Sequence, residues 1–309
     1  MRIFVAPMQG YTDAVFRHFH KEVYGVSELS YLTPFVRVEK GEAKSRDMRD
    51  VTSVLNENHR PAGQIIFKDF EEFKLLADCL ILDGVREINL NIGCPFVPQC
   101  RRGRGAAMVG NAAVLEQVSE YMNSLHGVEF SLKMRLGADR EDEWMRSAEV
   151  INRMPLSYVA VHARVGADQY GGRLRYEAFE RLADTVEHPI VYNGDLNTPE
   201  DIDRILEKYP QLRGVMLGRG LVGRPSVFNE WIEGESWSRQ KRLEYLSRLH
   251  TLILEYYARV LCGEAQVLSK VKPFWDYAEW EIGRKSRKAI SKAGGMSRYL
   301  SVVDDLFRL

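Results

Sequence analysis

The sequence lacks several features, and each absence excludes a class of protein. Its four cysteines, Cys79, Cys94, Cys100 and Cys262, show no CxxC spacing, and no pair of histidines completes a metal site. No apolar run is long enough to span a bilayer. The first seven residues lack the three-part form of a signal peptide. We therefore expect no metal, no membrane contact and four reduced thiols in a cytoplasmic protein.

Net charge of one sign is also absent, because 43 Lys and Arg balance 43 Asp and Glu over 309 residues. The balance is uneven along the chain, since residues 236–309 carry 14 Lys and Arg against 8 Asp and Glu. This excess favours an anionic partner for the C-terminal segment. A solvated helical surface rich in Lys and Arg would give the same pattern.

Eight short apolar runs alternate with helical patterns and predict an α/β fold, a TIM (β/α)8 barrel. The runs are residues 2–8, 29–38, 61–67, 86–92, 129–136, 158–165, 189–196 and 214–221. Helical patterns cover residues 70–82, 112–125, 142–154, 176–186 and 199–208, whereas residues 39–60 are polar and interrupt the alternation. An open doubly wound sheet is the alternative, which the missing Gly-x-Gly-x-x-Gly after the first strand disfavours.

The pattern changes after Trp237, where helical periodicity over residues 239–260 and 265–292 replaces the strand signals. We predict a small helical domain at residues 239–309 beside a barrel at residues 1–238. Four aromatic residues of this segment, Phe274, Trp275, Tyr277 and Trp280, are suited either to stacking on bases or to packing inside the domain.

Polar residues stand where the predicted barrel strands end, which is where such barrels place their sites. The glycine turns Asn193-Gly194-Asp195 and Gly218-Arg219-Gly220 follow the seventh and eighth strands and favour a phosphate site, although ordinary strand-to-helix turns could look alike. Lys133 and His162, on adjacent strands, could hold the polar edge of a flavin, with Gln64 on the amide edge of the ring. The alternatives are a salt bridge inside the barrel for Lys133 and a satisfied core histidine for His162.

The segment Asn91-Ile92-Gly93-Cys94-Pro95 ends the fourth strand and places a thiol at the predicted barrel mouth. Cys94 has three interpretations: a core thiol, a nucleophile without an evident base, or a general acid that stays protonated near neutral pH. The following loop holds Arg101, Arg102 and Arg104, which suit a polyanion and would bias Cys94 toward the thiolate.

Seven motifs occur in the order of one known family. They are Ala-Pro-Met-x-Gly-x-Thr-Asp at 6–13, Asn-x-Gly-Cys-Pro at 91–95, Gly-x-Gly-Ala at 103–106, Lys-x-Arg-Leu-Gly at 133–137, Val-His-x-Arg at 161–164, Asn-Gly-Asp at 193–195 and Gly-Arg-Gly at 218–220. With these motifs the chain resembles the tRNA-dihydrouridine synthases, flavoenzymes that reduce uridine in transfer RNA. The Phe35-Val36-Arg37-Val38 segment resembles the branch that acts at position 16 of that RNA.

The resemblance implies a cofactor, a proton donor and an RNA substrate. It implies FMN held by Pro7, Met8, Gln9, Gln64, Lys133, His162, Asn193, Gly194, Asp195, Gly218 and Arg219, with NADPH as electron donor. It implies Cys94 as the catalytic proton donor and Phe35, Asn91 and Tyr170 as contacts to the substrate. The predicted RNA contacts are Arg101, Arg102, Arg104, Lys270, Lys272, Arg284, Lys285, Arg287 and Lys288.

Two other functions remain open at this point, an FMN barrel that reduces a free pyrimidine and an RNA-binding protein that has lost catalysis. The first would not need the basic C-terminal segment, and the second would not need Cys94, Lys133 and His162 together. The substrate could be ribosomal instead of transfer RNA. We expect a monomer.

Overall fold

A barrel of parallel strands surrounded by helices forms most of the computed structural model, which describes residues 1–307. Its ten strands are β1 (Arg2–Val5), β2 (Leu29–Tyr31), β3 (Val36–Glu39), β4 (Glu42–Ala43), β5 (Gly63–Ile66), β6 (Glu87–Ile92), β7 (Glu129–Gly137), β8 (Leu156–Val165), β9 (Ile190–Asn193) and β10 (Gly214–Leu217) within that range. They pair in the order β2-β1-β10-β9-β8-β7-β6-β5-β3-β4, and only the short β3–β4 pair is antiparallel. The predicted fold class is confirmed.

The second barrel strand, predicted as one run over residues 29–38, is divided into β2 and β3. Pro34 lies between the two pieces and has no backbone N–H for a ladder. β2 pairs with β1 and β3 pairs with β5, so together they close the barrel, helped by an isolated parallel bridge between Leu32 and Ala62. Counted around the ring, the β2–β3 strand therefore lies opposite β8.

Helices cover the outside of the barrel and build the C-terminal region. They are α1 (Ala14–Tyr24), α2 (Ser45–Val51), α3 (Phe70–Leu82), α4 (Val97–Cys100), α5 (Ala112–Ser124), α6 (Ala148–Arg153), α7 (Tyr176–Thr185), α8 (Pro199–Lys208), α9 (Arg219–Gly223), α10 (Val227–Glu233), α11 (Arg239–Val260), α12 (Glu264–Val271), α13 (Glu279–Ile282), α14 (Arg284–Lys292) and α15 (Met296–Phe307). Short 3₁₀ helices occur at Val54–Asn56, Gly105–Met108, Glu143–Ser147 and Lys272–Trp275. Thr198 caps α8 in a reciprocal box with Asp201, and Pro199 takes its first turn, so this helix begins where its sequence predicts.

Two predicted helices differ in the structure. The pattern over residues 142–154 becomes a 3₁₀ turn followed by α6, and the pattern over residues 265–292 breaks into α12, a 3₁₀ turn, α13 and α14. The second break has a physical reason, because Pro273 cannot continue α12 and Gly283 adopts a positive φ between α13 and α14. The polar segment 39–60 contains β4, α2 and a 3₁₀ turn.

The barrel interior is divided into an apolar lower layer and a polar upper layer. Side chains alternate along a strand, so every second residue points inward. A separate buried cluster fills the lower layer: Phe4, Ala6, Leu32, Ala62, Tyr158, Ala160, Val191 and Met216. The next inward positions toward the strand C-termini are polar, as Lys133 follows Ser131 and His162 follows Ala160. The apolar layer therefore closes the bottom of the barrel and leaves its upper end for a site.

The C-terminal helices pack tightly onto the barrel. One continuous cluster of buried apolar side chains runs from the strands through α11 to α15. Tyr257 on α11 donates a hydrogen bond to Asp13 at 2.6 Å, across the interface with α1. The division at residue 238 coincides with Ser238, which caps α11, and two separate domains stay a prediction.

Within residues 1–307, no helix is long and apolar enough to cross a membrane. In the same described part of the chain, no group of three or more His, Cys, Asp or Glu side chains is arranged to hold a metal ion.

Candidate active site at the barrel mouth

A cavity of about 600 Å³ opens at the C-terminal ends of the strands. Most of the predicted cofactor and substrate residues line it: Pro7, Met8, Gln9, Phe35, Asn91, Cys94, Lys133, His162, Tyr170, Asn193, Gly194, Asp195, Gly218 and Arg219. Residues far apart in the chain thus converge on one space, because all the parallel strands present their C-terminal ends to the same side.

One wall carries Lys133, His162 and Asn193 from the neighbouring strands β7, β8 and β9. The Lys133 Nζ donates to Asn193 Oδ1 at 2.9 Å, and Asn193 Nδ2 donates to the Met216 carbonyl at 2.6 Å. Lys133 is partly buried at the cavity wall, and burial, helped by nearby Arg135, lowers its pKa to about 7. Burial also lowers the pKa of His162 well below its usual value, and its Nδ1 has no hydrogen-bond partner. This wall therefore presents an amine whose pKa lies near neutral pH and an imidazole that is neutral.

Two turns after β9 and β10 close the adjoining part of the cavity. Gly194 has a φ of +144°, and a side chain there would meet Leu174 Cδ2 at 2.9 Å. Asp195 pairs with Arg164 and, at 2.7 Å, with Arg219. Against the penalty of burial, these two guanidinium groups hold the pKa of Asp195 below its usual range. Asp195 thus compensates part of the charge of Arg219 in this part of the cavity. The Arg219 guanidinium keeps further N–H groups that can donate to a ligand.

Tyr170 stands at the rim between two guanidinium groups. Its ring lies 5.3 Å from Arg135 and 4.8 Å from Arg219, and its carbonyl accepts a hydrogen bond from Arg219 Nη1 at 3.2 Å. The ring is half exposed, at 50 %, and faces the edge of His162 with centroids 6.5 Å apart. Two cation–π contacts therefore fix an aromatic surface that remains open to a ligand.

Asn91 holds the turn that carries Cys94. Its Oδ1 accepts hydrogen bonds from the backbone N–H of Gly93 at 3.1 Å and of Cys94 at 2.9 Å. On the far side, the Cys94 carbonyl accepts from the Ala106 N–H at 3.0 Å. Gly105 allows this approach, because a Cβ there would lie 2.5 Å from that carbonyl oxygen and its φ is +61°. The Cys94 backbone is thus fixed from two directions.

A chain of buried amides continues beneath this turn. Asn91 Nδ2 donates to Gln64 Oε1 at 2.8 Å, Gln64 Nε2 donates to Asn89 Oδ1 at 2.7 Å, and Asn89 Nδ2 donates to Ser131 Oγ at 2.8 Å. Gln64 is fully buried and does not line the cavity. The predicted contact of Gln64 with a cofactor stays a prediction. Its carboxamide is engaged one layer below, where it positions Asn91.

Cys94 is half-buried at the cavity wall, and burial raises the pKa of its thiol, with Cys100 adding to the rise. Arg135 and Lys133 oppose the shift without overcoming it. The loop arginines do not generate a thiolate as the sequence suggested. Arg104 in particular is buried and pairs with Glu72 at 2.6 Å. A thiol that remains protonated near neutral pH fits a general acid better than a nucleophile.

The burial of Arg104 also contradicts its predicted contact with RNA. Its guanidinium donates to Glu72 and to the Val38 carbonyl at 2.9 Å, and is occupied by the protein interior. Arg101 and Arg102 are exposed on the same loop. The loop therefore offers two arginines to an anionic partner, and the third supports its conformation.

The six predicted C-terminal contacts lie outside the cavity lining and differ in their availability. Lys270 is half-buried and pairs with Asp13 at 3.2 Å, Lys272 donates to the Ser291 carbonyl at 2.9 Å, and Arg287 pairs with Glu279 at 2.6 Å. Arg284, Lys285 and Lys288 are exposed on α14. Three of the six are therefore engaged by the protein, and contact of all six with RNA stays a prediction.

Sequence reasoning missed several residues of the cavity. Arg135 was assigned no role, although it belongs to the Lys-x-Arg-Leu-Gly motif and lies two positions after Lys133, on the same face of β7. Tyr11 and Tyr277 line the rim together with ring centroids 5.1 Å apart, and nothing local indicates that Tyr277 returns to the barrel. Arg37 on β3 also lines the cavity, as do Arg46 and Asp47 from the polar segment that interrupted the predicted alternation.

Comparison with known proteins agrees with this geometry. The model of the dihydrouridine synthase family matches residues 4–280. The chain belongs to this family. The resemblance predicted from the motifs is confirmed, and with it the enzyme class, an oxidoreductase that forms dihydrouridine.

Relatives of known name carry the same family label. The tRNA-dihydrouridine synthase B of Shewanella oneidensis is 29% identical over 82% of this chain and 82% of its own length. The protein of that name from Vibrio cholerae is 26% identical over 94% of this chain and 85% of its own. Most of each relative is therefore represented in this chain.

Solved structures with the same architecture are more distant in sequence. The old yellow enzyme homologue from Zymomonas mobilis aligns with a TM-score of 0.53 at 8% identity, over 77% of this chain and 90% of the other. A morphinone reductase variant in complex with tetrahydroNAD aligns with a TM-score of 0.52 at 9% identity, over 76% and 87%. At these identities the likeness shows the barrel fold alone.

Proposed function

We propose that this protein reduces uridine to 5,6-dihydrouridine in transfer RNA, with FMN as its bound flavin and NADPH as electron donor. The observation that carries the proposal is the convergence of a protonated thiol, Cys94, with the Lys133–His162–Asn193 wall in one cavity. The named relatives support a transfer RNA substrate.

The residues of the cavity fit a flavin. Its volume of about 600 Å³ lies in the range of cofactor pockets. The unpartnered Nδ1 of His162 and the Lys133 amine can serve the polar edge of the ring. The turns at Gly194 and at Gly218-Arg219 can accept a phosphate with backbone N–H groups and one guanidinium.

The reaction adds a hydride to C6 and a proton to C5 of uracil. Reduced FMN supplies the hydride when bound. The Cys94 thiol supplies the proton, since its raised pKa keeps it protonated near neutral pH. Asn91 and the amides beneath it hold the Cys94 backbone in place. The thiolate left behind recovers its proton from water, so one NADPH and one solvent proton are consumed for each uridine reduced.

A uridine inside folded RNA must leave its stack to reach this cavity. Tyr170 and the exposed Phe96 offer aromatic surfaces at the rim. Arg101, Arg102, Arg284, Lys285 and Lys288 are exposed and can contact phosphates. The substrate base would therefore enter the cavity while the RNA body rests outside it.

The proposal is tested by purifying the protein and measuring its flavin, then its NADPH oxidation with unmodified transfer RNA. We expect a yellow protein that releases FMN on denaturation and forms dihydrouridine, detected as a gain of two mass units. Lys133→Ala should weaken flavin binding. A colourless protein that takes up no FMN would overturn the flavin assignment.

The same assay separates the two alternative functions. Reduction of free uracil without RNA would favour a small-molecule reductase, and RNA binding without turnover would favour a protein that has lost catalysis. Mapping dihydrouridine in RNA from a deletion strain tests whether the target is transfer or ribosomal RNA and whether it is position 16. A cytoplasmic location and a monomeric state stay predictions.

A further inference from the structure

The cavity has a second polar wall that the proposed chemistry does not use. Arg37 follows the start of β3, Arg46 and Asp47 belong to α2, and all three line the cavity beside Phe35. The β2–β3 strand lies opposite β8 in the ring. This second wall therefore faces His162 across the space in which a cofactor and a substrate base would lie.

Asp47 is the unusual member of this wall. It is 94% buried, and its Oδ2 has no hydrogen-bond partner. Arg37 Nη1 lies 3.3 Å from that oxygen and pairs with it by charge, but its N–H does not point at it well enough for a hydrogen bond. Burial raises the pKa of Asp47, and Arg37, Lys44 and Arg46 oppose the rise.

Within residues 1–307, only two side chains that line this cavity have such an unpartnered buried polar atom, Asp47 and His162. A buried acceptor without a donor costs free energy, and at the wall of a cavity a ligand can supply that donor. His162 belongs to the predicted flavin wall. Asp47 therefore indicates a second ligand group on the opposite side, one that carries a hydrogen-bond donor.

The chemistry of the three side chains identifies that group. Two guanidinium groups suit a phosphodiester, and a carboxylate beside one of them can accept a hydrogen bond from a hydroxyl. A ribonucleotide carries both groups side by side, and its 2′-hydroxyl distinguishes RNA from DNA. With Asn91 predicted to contact the uracil from β6, the sugar and phosphate of the same nucleotide remain for the wall at β3 and α2.

Resting on the function proposed above, we propose that Arg37, Arg46 and Asp47 form a ribose-phosphate subsite for the target nucleotide. Asp47 accepts a hydrogen bond from its 2′-hydroxyl, and Arg37 and Arg46 bind an adjacent phosphodiester. The subsite makes the enzyme selective for a ribonucleotide at the position it reduces.

The test compares synthetic transfer RNA that carries uridine or 2′-deoxyuridine at the mapped target position, on the wild-type protein and on Asp47→Asn. Removing the 2′-hydroxyl should lower kcat/KM of the wild-type protein by about tenfold or more, as expected for a hydrogen bond to a charged group. Asp47→Asn should lose activity on the all-ribose RNA and show little further loss on the deoxy-substituted RNA. The matched control is Asp184→Asn, at an exposed position of α7. It should discriminate between the two RNAs as the wild-type protein does.

The binding of the same RNA to Arg37→Gln/Arg46→Gln measures the phosphate contact. The slope of log affinity against log salt should fall by up to about two. If the wild-type protein reduces both RNAs equally, the subsite is wrong while the proposed function stands. If the losses of kcat/KM from Asp47→Asn and from the 2′-deoxy substitution multiply, the two changes act independently. Asp47 then accepts a hydrogen bond from another group, such as the N3–H of uracil, and the proposal is overturned. A wild-type protein that forms no dihydrouridine on the all-ribose RNA would overturn the proposed function, and the subsite with it.

Discussion

Burial sets the charge of the three groups that matter most at the scale of single residues. It raises the pKa of Cys94 and lowers those of Lys133 and His162. Each shift favours the neutral form, because the low-dielectric interior penalises charge. The free cavity therefore carries less charge than its sequence suggests, and a bound anion can restore the proton on Lys133.

Replacing Cys94 with Ala should remove the proton donor and leave the flavin in place. We expect uridine reduction to fall by about 10²–10⁴-fold, the usual contribution of a general acid. Because the pKa of Cys94 is raised, the wild-type rate should stay level through neutral pH and fall only in the alkaline range, as the thiol ionises.

The control for this variant is Cys262→Ala, since Cys262 is exposed. Cys100→Ala is a poorer control than its sequence suggests, because the Cys100 thiol donates to the Cys94 carbonyl at 3.3 Å. Wild-type turnover by Cys94→Ala would refute the acid role. Stopped-flow measurement gives the rate at which RNA oxidises the reduced flavin, and FMN content is measured in parallel. Together they distinguish loss of the proton donor from loss of the flavin.

Lys133 should destabilise the cofactor-free fold at and below neutral pH. Its folded pKa of about 7 lies below the unfolded value of about 10.4, so the penalty is full below pH 7 and fades as the pH rises toward 10.4. The free energy of unfolding of Lys133→Met should therefore be roughly 1–3 kcal/mol higher than that of the wild-type protein at pH 7. This range allows for screening by water in the cavity.

Urea denaturation at several pH values measures this difference. The advantage of Lys133→Met should shrink steadily between pH 7 and pH 10. Lys292→Met, at an exposed position of α14, should show no such dependence. A constant difference across this range would mean that Lys133 keeps an ordinary pKa in the fold.

At the scale of elements, β5, β6 and β7 together hold the turn that carries Cys94. Register places Gln64 beside Asn89 and Asn89 beside Ser131, so their inward side chains meet in one layer. The β2–β3 strand adds the Thr33 hydroxyl, which accepts from the Gln64 N–H at 3.0 Å. No member of this layer is ionisable in the neutral range, so its geometry is independent of pH near 7.

Asn89→Leu should break this layer at its centre. The change leaves the Gln64 amide without its acceptor and removes the donor to Ser131, with a cost of about 1–3 kcal/mol for each buried group left unpaired. Urea unfolding measures the loss. Alkylation of Cys94 by iodoacetamide should change rate in the folded variant, because its turn is no longer fixed.

Asn123→Leu on the exposed face of α5 provides the comparison and should change the free energy of unfolding by less than about 0.5 kcal/mol. If Asn89→Leu unfolds like the wild-type protein and its Cys94 reacts at the same rate, the buried amides do not position the turn.

At the scale of the whole molecule, the C-terminal helices combine structural contact with an exposed basic face. α11 and Lys270 anchor them on Asp13 of the barrel, and Tyr277 reaches the rim of the cavity. α14 exposes Arg284, Lys285 and Lys288. The same segment therefore completes the site and extends the surface available to RNA.

Neutralising Lys285 and Lys288 together should weaken RNA binding without changing FMN content. The slope of log affinity against log salt should fall by up to about two if each lysine contacts a phosphate. Arg287 is left out of this variant, because its ion pair with Glu279 makes its loss a structural change as well.

Arg86→Gln/Arg213→Gln is the matched variant, since both arginines are exposed where β6 and β10 begin, at the end of the barrel away from the cavity. Fluorescence anisotropy with labelled transfer RNA compares the two. An unchanged slope for the lysine pair would place the RNA elsewhere, most simply on Arg101 and Arg102.

Local sequence patterns predicted much of this structure. Strand and helix periodicity predicted the barrel, and the inward alternation of Lys133 and His162 followed from their strands. Cavity residues outside the predicted strands were missed, as with Asp47 on α2 and Tyr277 before α13, because no period marks a residue whose position depends on packing. The predicted contact of Arg104 with RNA was wrong for a related reason, since the sequence shows a charge but not its buried partner, Glu72.

The sequence by itself determined the order of the barrel strands and helices, the family and the thiol proposed as proton donor, because these depend on local pattern and on motifs of adjacent residues. Only the tertiary structure decided which charges are free, how Gln64 is used and which residues face one another across the cavity. Those properties depend on contacts between distant segments, which also set the desolvation that shifts the pKa values of Cys94 and Lys133.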